Sequence, residues 1–262
     1  MHKYAAIILA AGKGTRMNEG ASSPMPKVMF KLAGIPIIRH SVELIKGAGV
    51  EKVVLVVGYK KDIIEDYFGD EVEYALQEQQ LGTGHAAAMA KPILVDQAQS
   101  IIIFCGDNPL YKQETIKRLI EFYEKVEPTV AMLSVNFEDP EYWAFGRIVR
   151  NERNDVIGII EQKDCTSSQL KIKESNPSFY IFNAGWFWDN IEKLGNDNVQ
   201  REFYLTDMIA IASEQGNKIV AMPVSEESEA LGINNPDQLK QAEEILNKRI
   251  GGKWQKKVVA VN

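Results

Sequence analysis

Two glycines and two cations within eight residues, Leu9-Ala-Ala-Gly-Lys-Gly-Thr-Arg16, form the stretch of this sequence most suited to chemistry. The apolar run from Ala5 to Leu9 before them reads as a short buried strand, so the glycines fall where a loop leaves the strand's carboxyl end. Without Cβ atoms at Gly12 and Gly14, backbone N–H groups can close around an anion, and Lys13 and Arg16 bring positive charge to the same loop. The chemistry implied is phosphate binding. A dinucleotide fingerprint wants a third glycine near position 17, where Met17 stands, and a P-loop needs a longer glycine spacing before its Lys and Ser/Thr, so neither fits. A glycine pair taken alone also fits a tight turn with two exposed cations.

Further clusters strengthen the phosphate reading. Pro26-Lys27-Val28 supplies another lysine. Gln77 and Leu81-Gly82-Thr83-Gly84-His85 join a strand to a helix, so Gly82 and Thr83 fall at a helix N-terminus while Gln77 offers an amide suited to reading a base. The plain alternative is a capped helix with an exposed glutamine. In Cys105-Gly106-Asp107-Asn108-Pro109-Leu110 a carboxylate ends a third apolar strand, where it suits a hard cation, and Gly106 allows a ligand near the backbone. An aspartate there also serves as a turn former or helix cap.

The elements that must position these residues alternate. Strands are predicted at Lys52 to Val57, Val72 to Leu76, Ile101 to Cys105 and Thr129 to Val135. Between them, helices are predicted over Ile37 to Lys46, Asp62 to Phe68, Gly84 to Lys91 with Pro92 as terminator, and Gln113 to Lys125. Such alternation implies a largely parallel sheet covered by helices on both faces. Gly146 to Val149, Val156 to Glu161 and Phe179 to Phe182 are short strand candidates with turn signals between them, the texture of an antiparallel excursion. Leu205, Met208, Ile209 and Ala212 stand at helical spacing, and Ile219 to Met222 reads as a strand. Asn235-Pro236-Asp237 starts a last helix with the stripe Leu239, Ala242, Ile245 and Leu246. Asn18 to Pro26 reads as an exposed, mobile segment flanking the loop. One domain over 1–250 with a tail over 251–262 is expected, the tail beginning at Gly251-Gly252.

Composition excludes several classes. The 262 residues, 45% hydrophobic and 25% charged, suit a folded soluble protein, and the formal charge of -6 argues against nucleic acid or an anionic membrane as partner. Two cysteines and three histidines support neither a disulfide framework nor structural zinc. No stretch approaches the roughly 20 apolar residues of a membrane span, and no signal peptide is evident. A cytoplasmic protein is expected.

In order, LAAGKGTR, PKV, Gln77 with GTGHA, GDNPL, Gly146-Arg147, EQKD at 161–164 and GINN at 232–235 make up a pattern that resembles the pyrophosphorylase domain of bacterial N-acetylglucosamine-1-phosphate uridyltransferases. More broadly it is similar to the sugar-1-phosphate nucleotidyltransferases, and the likeness runs from about residue 5 to 246. The resemblance implies a three-layer Rossmann-like α/β fold with a mostly parallel mixed sheet and a smaller antiparallel sugar-binding subregion. It also implies Mg²⁺-dependent transfer of a nucleotidyl group from a nucleoside triphosphate to a sugar-1-phosphate. UTP and N-acetylglucosamine-1-phosphate are the favoured pair. Another sugar phosphate, dTTP or CTP, or a noncatalytic nucleotide-sugar-binding subunit, are the alternatives.

Position by position, the resemblance places nucleotide contacts at Leu9, Ala10, Ala11, Gly12, Gln77, Gly82 and Thr83, and the pyrophosphate-binding cations at Arg16 and Lys27. It places Mg²⁺ ligands at Asp107 and Asn234, and sugar contacts at Gly146, Glu161 and Asn176, with Cys105 and Gly106 bordering the sugar. An already anionic phosphate oxygen attacks the α-phosphorus in this chemistry, so no general base is required; the task is to bring two anions together and neutralise the leaving charge.

Four departures stand against that pattern. The segment after Arg16 is a few residues longer, through Asn18 to Ser23; Cys105 replaces a tyrosine; and Asn176-Pro177-Ser178 replaces Asn-Thr-Gly. The chain also shows no hexapeptide repeat, so neither acetyltransferase activity nor a β-helix trimer is expected.

Overall fold

Ile7 and Ile8 are neighbours on one strand, point to opposite faces, and are both fully buried. A sheet with such strands must be covered on both sides. In this computed structural model, which describes residues 1–20 and 22–259, that is the arrangement found.

The chain begins with β1 (His2–Leu9), followed by a small hairpin of β2 (Lys31–Leu32) and β3 (Ile35–Pro36). Then come α1 (Ile37–Gly47), β4 (Lys52–Val57), α2 (Lys61–Phe68), β5 (Glu73–Leu76), α3 (Thr83–Ala88), α4 (Lys91–Leu94) and β6 (Ala98–Cys105). After α5 (Gln113–Val126) and β7 (Val130–Asn136) the chain forms β8 (Gly146–Arg150), β9 (Val156–Ile160), β10 (Glu174–Asn176) and β11 (Phe179–Asn183). It ends with α6 (Ala184–Asn190), α7 (Asp207–Glu214), β12 (Ile219–Pro223) and α8 (Pro236–Val259).

The large sheet has the order β5-β4-β1-β6-β11-β7-β10-β8-β9, with β12 parallel to β7. Its first four strands are parallel, with Leu9 of β1 level with Val56 of β4 and Cys105 of β6. The carboxyl ends of β1 and β6 therefore lie side by side, and both loops predicted to bind ligand leave the sheet at one edge. β8, β9 and β10 pair antiparallel, the excursion read from the short strand candidates.

Alternation sorts the core. Ala5, Ile7, Val54 and Ile103 pack against α3, α6 and α7, while Ala6, Ile8, Leu55 and Ile102 pack against α1, α2 and α5. Each fully buried Ile or Leu is worth about 1.5–3 kcal/mol relative to exposure. A third cluster, with Met17, Leu32, Leu110, Trp143 and Ile233, gathers the loops of the ligand edge with Leu239, Ile245 and Leu246 of α8. No helix among the described residues is long and apolar enough to cross a membrane.

Some elements differ from the sequence reading. Pro92 does not end the alanine-rich helix: α3 stops at Ala88, and Pro92 lies in the first turn of α4, where its missing N–H has no partner to lose. The helix α6, with the sequence AGWFWDN, was not predicted because aromatic residues and glycine carry little helix propensity. It is held by Asn183, whose Oδ1 accepts from Trp186 N at 3.0 Å, and by burial of Phe187 and Trp188. The helical backbone of α8 continues through Gly251-Gly252 to Val259, past the predicted start of the tail. A helical glycine loses only ~1 kcal/mol to alanine, so the pair weakens the helix without forbidding it. Residues 260–262 of the expected tail lie outside the described residues.

Candidate active site

Gly14 has φ +62°, and a Cβ placed there would collide with Cβ of Lys27. This position needs glycine twice over, for the left-handed backbone and for the close approach. The approach is held by Asn18. Its Nδ2 donates to the carbonyls of Lys13 at 3.2 Å, Gly14 at 3.0 Å and Met25 at 2.8 Å, while its Oδ1 accepts from Met25 N at 2.9 Å. The longer segment is thereby closed at its base, leaving Glu19, Gly20, Ser22 and Ser23 exposed. Lys27 faces the cleft beyond this closed segment.

The Lys27 ammonium pairs with the Asp107 carboxylate and donates to Asn234 Oδ1 at 2.8 Å. Asp107 comes from the end of β6, and its carbonyl accepts from Ile233 N at 2.9 Å, which brings the GINN stretch alongside. Asn235 then caps α8, accepting from Gln238 N at 2.8 Å, while Gln238 Oε1 accepts from Asn234 N at 2.7 Å. That capping fixes Asn234. Asp107 and Asn234 thus aim two hard oxygens at one point already favourable to positive charge, a donor set suited to a divalent cation completed by phosphate oxygens and water. Among the described residues there is no group of three or more His, Cys, Asp or Glu arranged for a metal.

Two adjoining lobes open at this edge. The first, about 210 Å³, is lined by Leu9, Ala10, Ala11, Gly12, Lys27, Gln77, Gly82, Thr83, Cys105 and Asp107, together with Val28, Gln80, Ala86 and Glu202. The second, about 190 Å³, is lined by Gly146, Glu161 and Asn176 among others. Leu9, Thr83, Cys105 and Glu202 border both lobes, so these are two halves of one cleft.

In the first lobe Gln77 is only 3% exposed. Gly82 has φ +114°, and a side chain there would meet the Phe203 backbone within 2.7 Å, so this loop is pressed against the 202–205 segment. Gly84 N donates to Phe203 O at 2.8 Å, and Thr83 Oγ1 accepts from Leu205 N at 3.0 Å. In the second lobe the half-buried Glu161 accepts from Thr206 Oγ1 at 3.0 Å. Burial, reinforced by Asp207, Asp164 and Glu202 nearby, raises its carboxyl above the ordinary range. Asn176 donates to Tyr180 Oη at 2.6 Å and accepts from Ser178 N at 3.1 Å. Pro177 turns its carbonyl to Asn108 Nδ2 at 2.8 Å and Tyr111 Oη at 2.6 Å, so the proline anchors this wall from behind. Ser178, standing where the resemblance expects glycine, takes φ +62°, the left-handed backbone glycine adopts freely. Burial, and after it Asp107, pushes the Cys105 thiol up to about 12, so Cys105 adds no charge to the wall it shares with Glu202.

Three predicted residues line neither lobe: Asn234, which reaches the first only through its contact with Lys27, and Arg16 and Gly106, which fall elsewhere. Arg16 is exposed and lines neither lobe, because the short turn Thr15–Met17 carries it outward while Met17 is buried. Gly106 lines neither lobe either; a Cβ there would lie 2.6 Å from Ile38 Cδ1, and its N–H donates to Leu9 O at 2.9 Å, so it serves packing rather than ligand approach. Conversely, the stretch Gln200 to Thr206, which walls the second lobe and through Glu202 borders the first, is not part of the site read from the sequence. Its signal was present: hydroxyls at Tyr204 and Thr206 and a carboxylate at Glu202, directly before a helix.

A two-lobed cleft with a cation-favouring cluster on the wall of its first lobe is what a nucleotidyltransferase needs, since two anionic substrates must be brought together in it. Residues 6–172 match the MobA-like NTP transferase domain, and the chain belongs to that family of nucleotidyltransferases. It is 42% identical over 252 residues to the bifunctional protein GlmU of Pelobacter propionicus, covering 95% of this chain and 54% of that protein. Identity is 39% over 254 residues with the protein of the same name from Exiguobacterium sibiricum, covering 97% and 55%. The chain thus spans about half the length of the curated relatives it matches. Among solved structures, a UDP-glucose pyrophosphorylase complexed with UDP-glucose superposes with a TM-score of 0.78 at 18% identity, covering 95% of this chain and all of that one. The fold and family implied by the motif order are borne out.

Proposed function

We propose that this chain transfers a uridylyl group from UTP to N-acetylglucosamine-1-phosphate, with pyrophosphate leaving and Mg²⁺ required. The observation that carries the reading is the convergence of Lys27, Asp107 and Asn234, of which Lys27 and Asp107 line the first lobe beside Cys105, a residue shared with the second. In this reading the first lobe takes the nucleoside triphosphate, with Gln77 at the base and the Leu9 to Gly12 backbone along the phosphates. The second takes the sugar phosphate, with Glu161 and Asn176 as hydrogen-bonding partners for hydroxyl and amide groups. Asp107 and Asn234 would hold the metal ion, which when bound draws charge from the phosphate oxygens.

The chain's own residues then have definite tasks. Lys27 supplies positive charge for the departing pyrophosphate. On the wall shared by the lobes the neutral Cys105 adds no repulsion toward an anionic sugar phosphate, and Glu202 is the carboxylate that the phosphate must clear. No side chain needs to remove a proton, because the attacking phosphate oxygen is already ionised. Substrates of this kind place the reaction in the cytoplasm.

The test is a matrix of nucleoside triphosphates against sugar-1-phosphates, read by pyrophosphate release. The expected result is fastest release with UTP and N-acetylglucosamine-1-phosphate, abolished by a chelator and restored by Mg²⁺. No release with any pair would overturn the proposal, and a different preferred pair would correct its substrates.

A further inference from the structure

Gln77 Nε2 lies 3.1 Å from the Gly82 carbonyl oxygen and 2.9 Å from His85 Nδ1. A carbonyl oxygen has no proton to give, so the amide atom facing it must be the –NH₂. The same nitrogen faces His85 Nδ1, and a ring N–H there would set donor against donor. His85 therefore carries its proton on Nε2 and accepts through Nδ1. Both hydrogens of the amide are thus spent on protein acceptors, and Oε1 is the group that Gln77 keeps for a ligand. The ring is itself held in place: it tilts over Phe203, with centroids 6.5 Å apart, and borders an apolar cavity of about 200 Å³ lined by Ile191, Leu194 and Phe203.

We infer that His85 is a positioning residue which, with the Gly82 carbonyl, fixes Gln77 as a hydrogen-bond acceptor and so biases the site toward a base with an N3–H, uracil or thymine, over cytosine. The inference rests on the proposed nucleotide lobe. An acceptor oxygen opposite N3 receives a hydrogen bond from an imide N–H, whereas the bare N3 of cytosine would set lone pair against lone pair. The 5-methyl group of thymine plays no part, so His85 does not separate UTP from dTTP.

Two measurements test it. In spectra of ¹⁵N-histidine-labelled protein, the His85 signals, identified by their loss in His85→Asn, should show an unprotonated Nδ1 and a protonated Nε2. The reverse tautomer overturns the inference whether or not UTP is the substrate. In kinetics, His85→Leu removes one of two restraints on the amide and should lower the UTP-over-CTP ratio of kcat/KM roughly tenfold, mainly through the KM for UTP. His85→Asn sets Oδ1 near the position of Nδ1 and should keep the ratio within about twofold of wild type, since the acceptor is retained. An unchanged ratio in His85→Leu, or an equal fall in both variants, overturns the inference. Failure of the underlying reading looks different: the wild type would release no pyrophosphate from UTP at all, and the tautomer would then decide the part played by His85.

Discussion

Lys27 Nζ and Asn234 Oδ1 lie 2.8 Å apart although 207 residues separate them in the chain. The contact joins the glycine loop, the end of β6 and the start of α8 at one point, because the same ammonium also pairs with Asp107. Lys27→Met keeps much of the aliphatic volume and removes the charge. It should lower turnover by about 10³-fold, in the range seen when one electrostatic stabiliser of a transition state is removed. Thermal melting should fall, because the largely shielded Asp107 carboxylate loses its ion-pair partner, so turnover is compared below the melting range of the variant. Turnover within threefold of wild type would remove Lys27 from the reaction.

Gly14 is the backbone position on which that lysine depends. In Gly14→Ala the methyl group meets Lys27 Cβ while the backbone keeps a left-handed φ, which disfavours alanine by roughly 1–2 kcal/mol. The variant should melt earlier and show a raised KM for the nucleoside triphosphate. Gly12→Ala is its control, since a Cβ there meets nothing within 4 Å and Gly12 is not at positive φ. Gly12→Ala should melt as wild type does, and the two variants melting alike would remove the conformational argument.

Asn18 supplies the restraint that closes the base of its loop. Asn18→Ala removes the amide –NH₂, whose two hydrogens are shared among three carbonyls, and the oxygen that accepts from Met25 N. At a net of about 0.5–1.5 kcal/mol for each bond where both partners are otherwise solvated, the base of the loop should open. The expected outcome is increased proteolysis between Glu19 and Pro24 and at least a tenfold loss of kcat/KM, about 1.4 kcal/mol. Protease resistance equal to wild type would show that the segment is held by something other than Asn18.

What was legible in the sequence follows from the kind of information each residue carries. Strand-end glycines, Lys27, Gln77, Asp107 and Asn234 announce themselves through residue type and order, and the buried strands through unbroken apolar runs such as Ile101 to Phe104. Arg16 shows the limit. A cation in a phosphate-binding loop carries the right charge, but where it points depends on a single turn that buries Met17 and exposes Arg16, and no local pattern encodes that choice. Gln200 to Thr206 shows another limit. It joins the site by backbone contacts to Leu81, Gly84 and Thr83, more than a hundred residues earlier, and backbone pairing leaves little mark on side-chain composition. Asn18 lay in a segment read as mobile, because a staple built from one amide and three carbonyls uses no residue pattern beyond the asparagine itself.

Glu161 offers a test that separates folding from binding. Burial raises its carboxyl above the ordinary value near 4.3, so the native state holds a proton over a pH window in which the unfolded chain has already released it. Its contribution to stability is therefore full at acid pH, below the unfolded value, and is lost as pH rises through the native one. Glu161→Gln cannot ionise and escapes that loss. The variant should melt above wild type at neutral pH, and the gap should close on acidification through the window. Binding runs the other way: an ionised acceptor contributes about 1.5–3 kcal/mol to a hydrogen bond, so replacing it with an amide should raise the KM for the sugar phosphate roughly 10- to 100-fold. The KM for the nucleotide should move little, because Glu161 borders only the second lobe. A variant less stable than wild type at neutral pH would show that the carboxylate is a net stabiliser through Thr206, reversing the sign argued from burial.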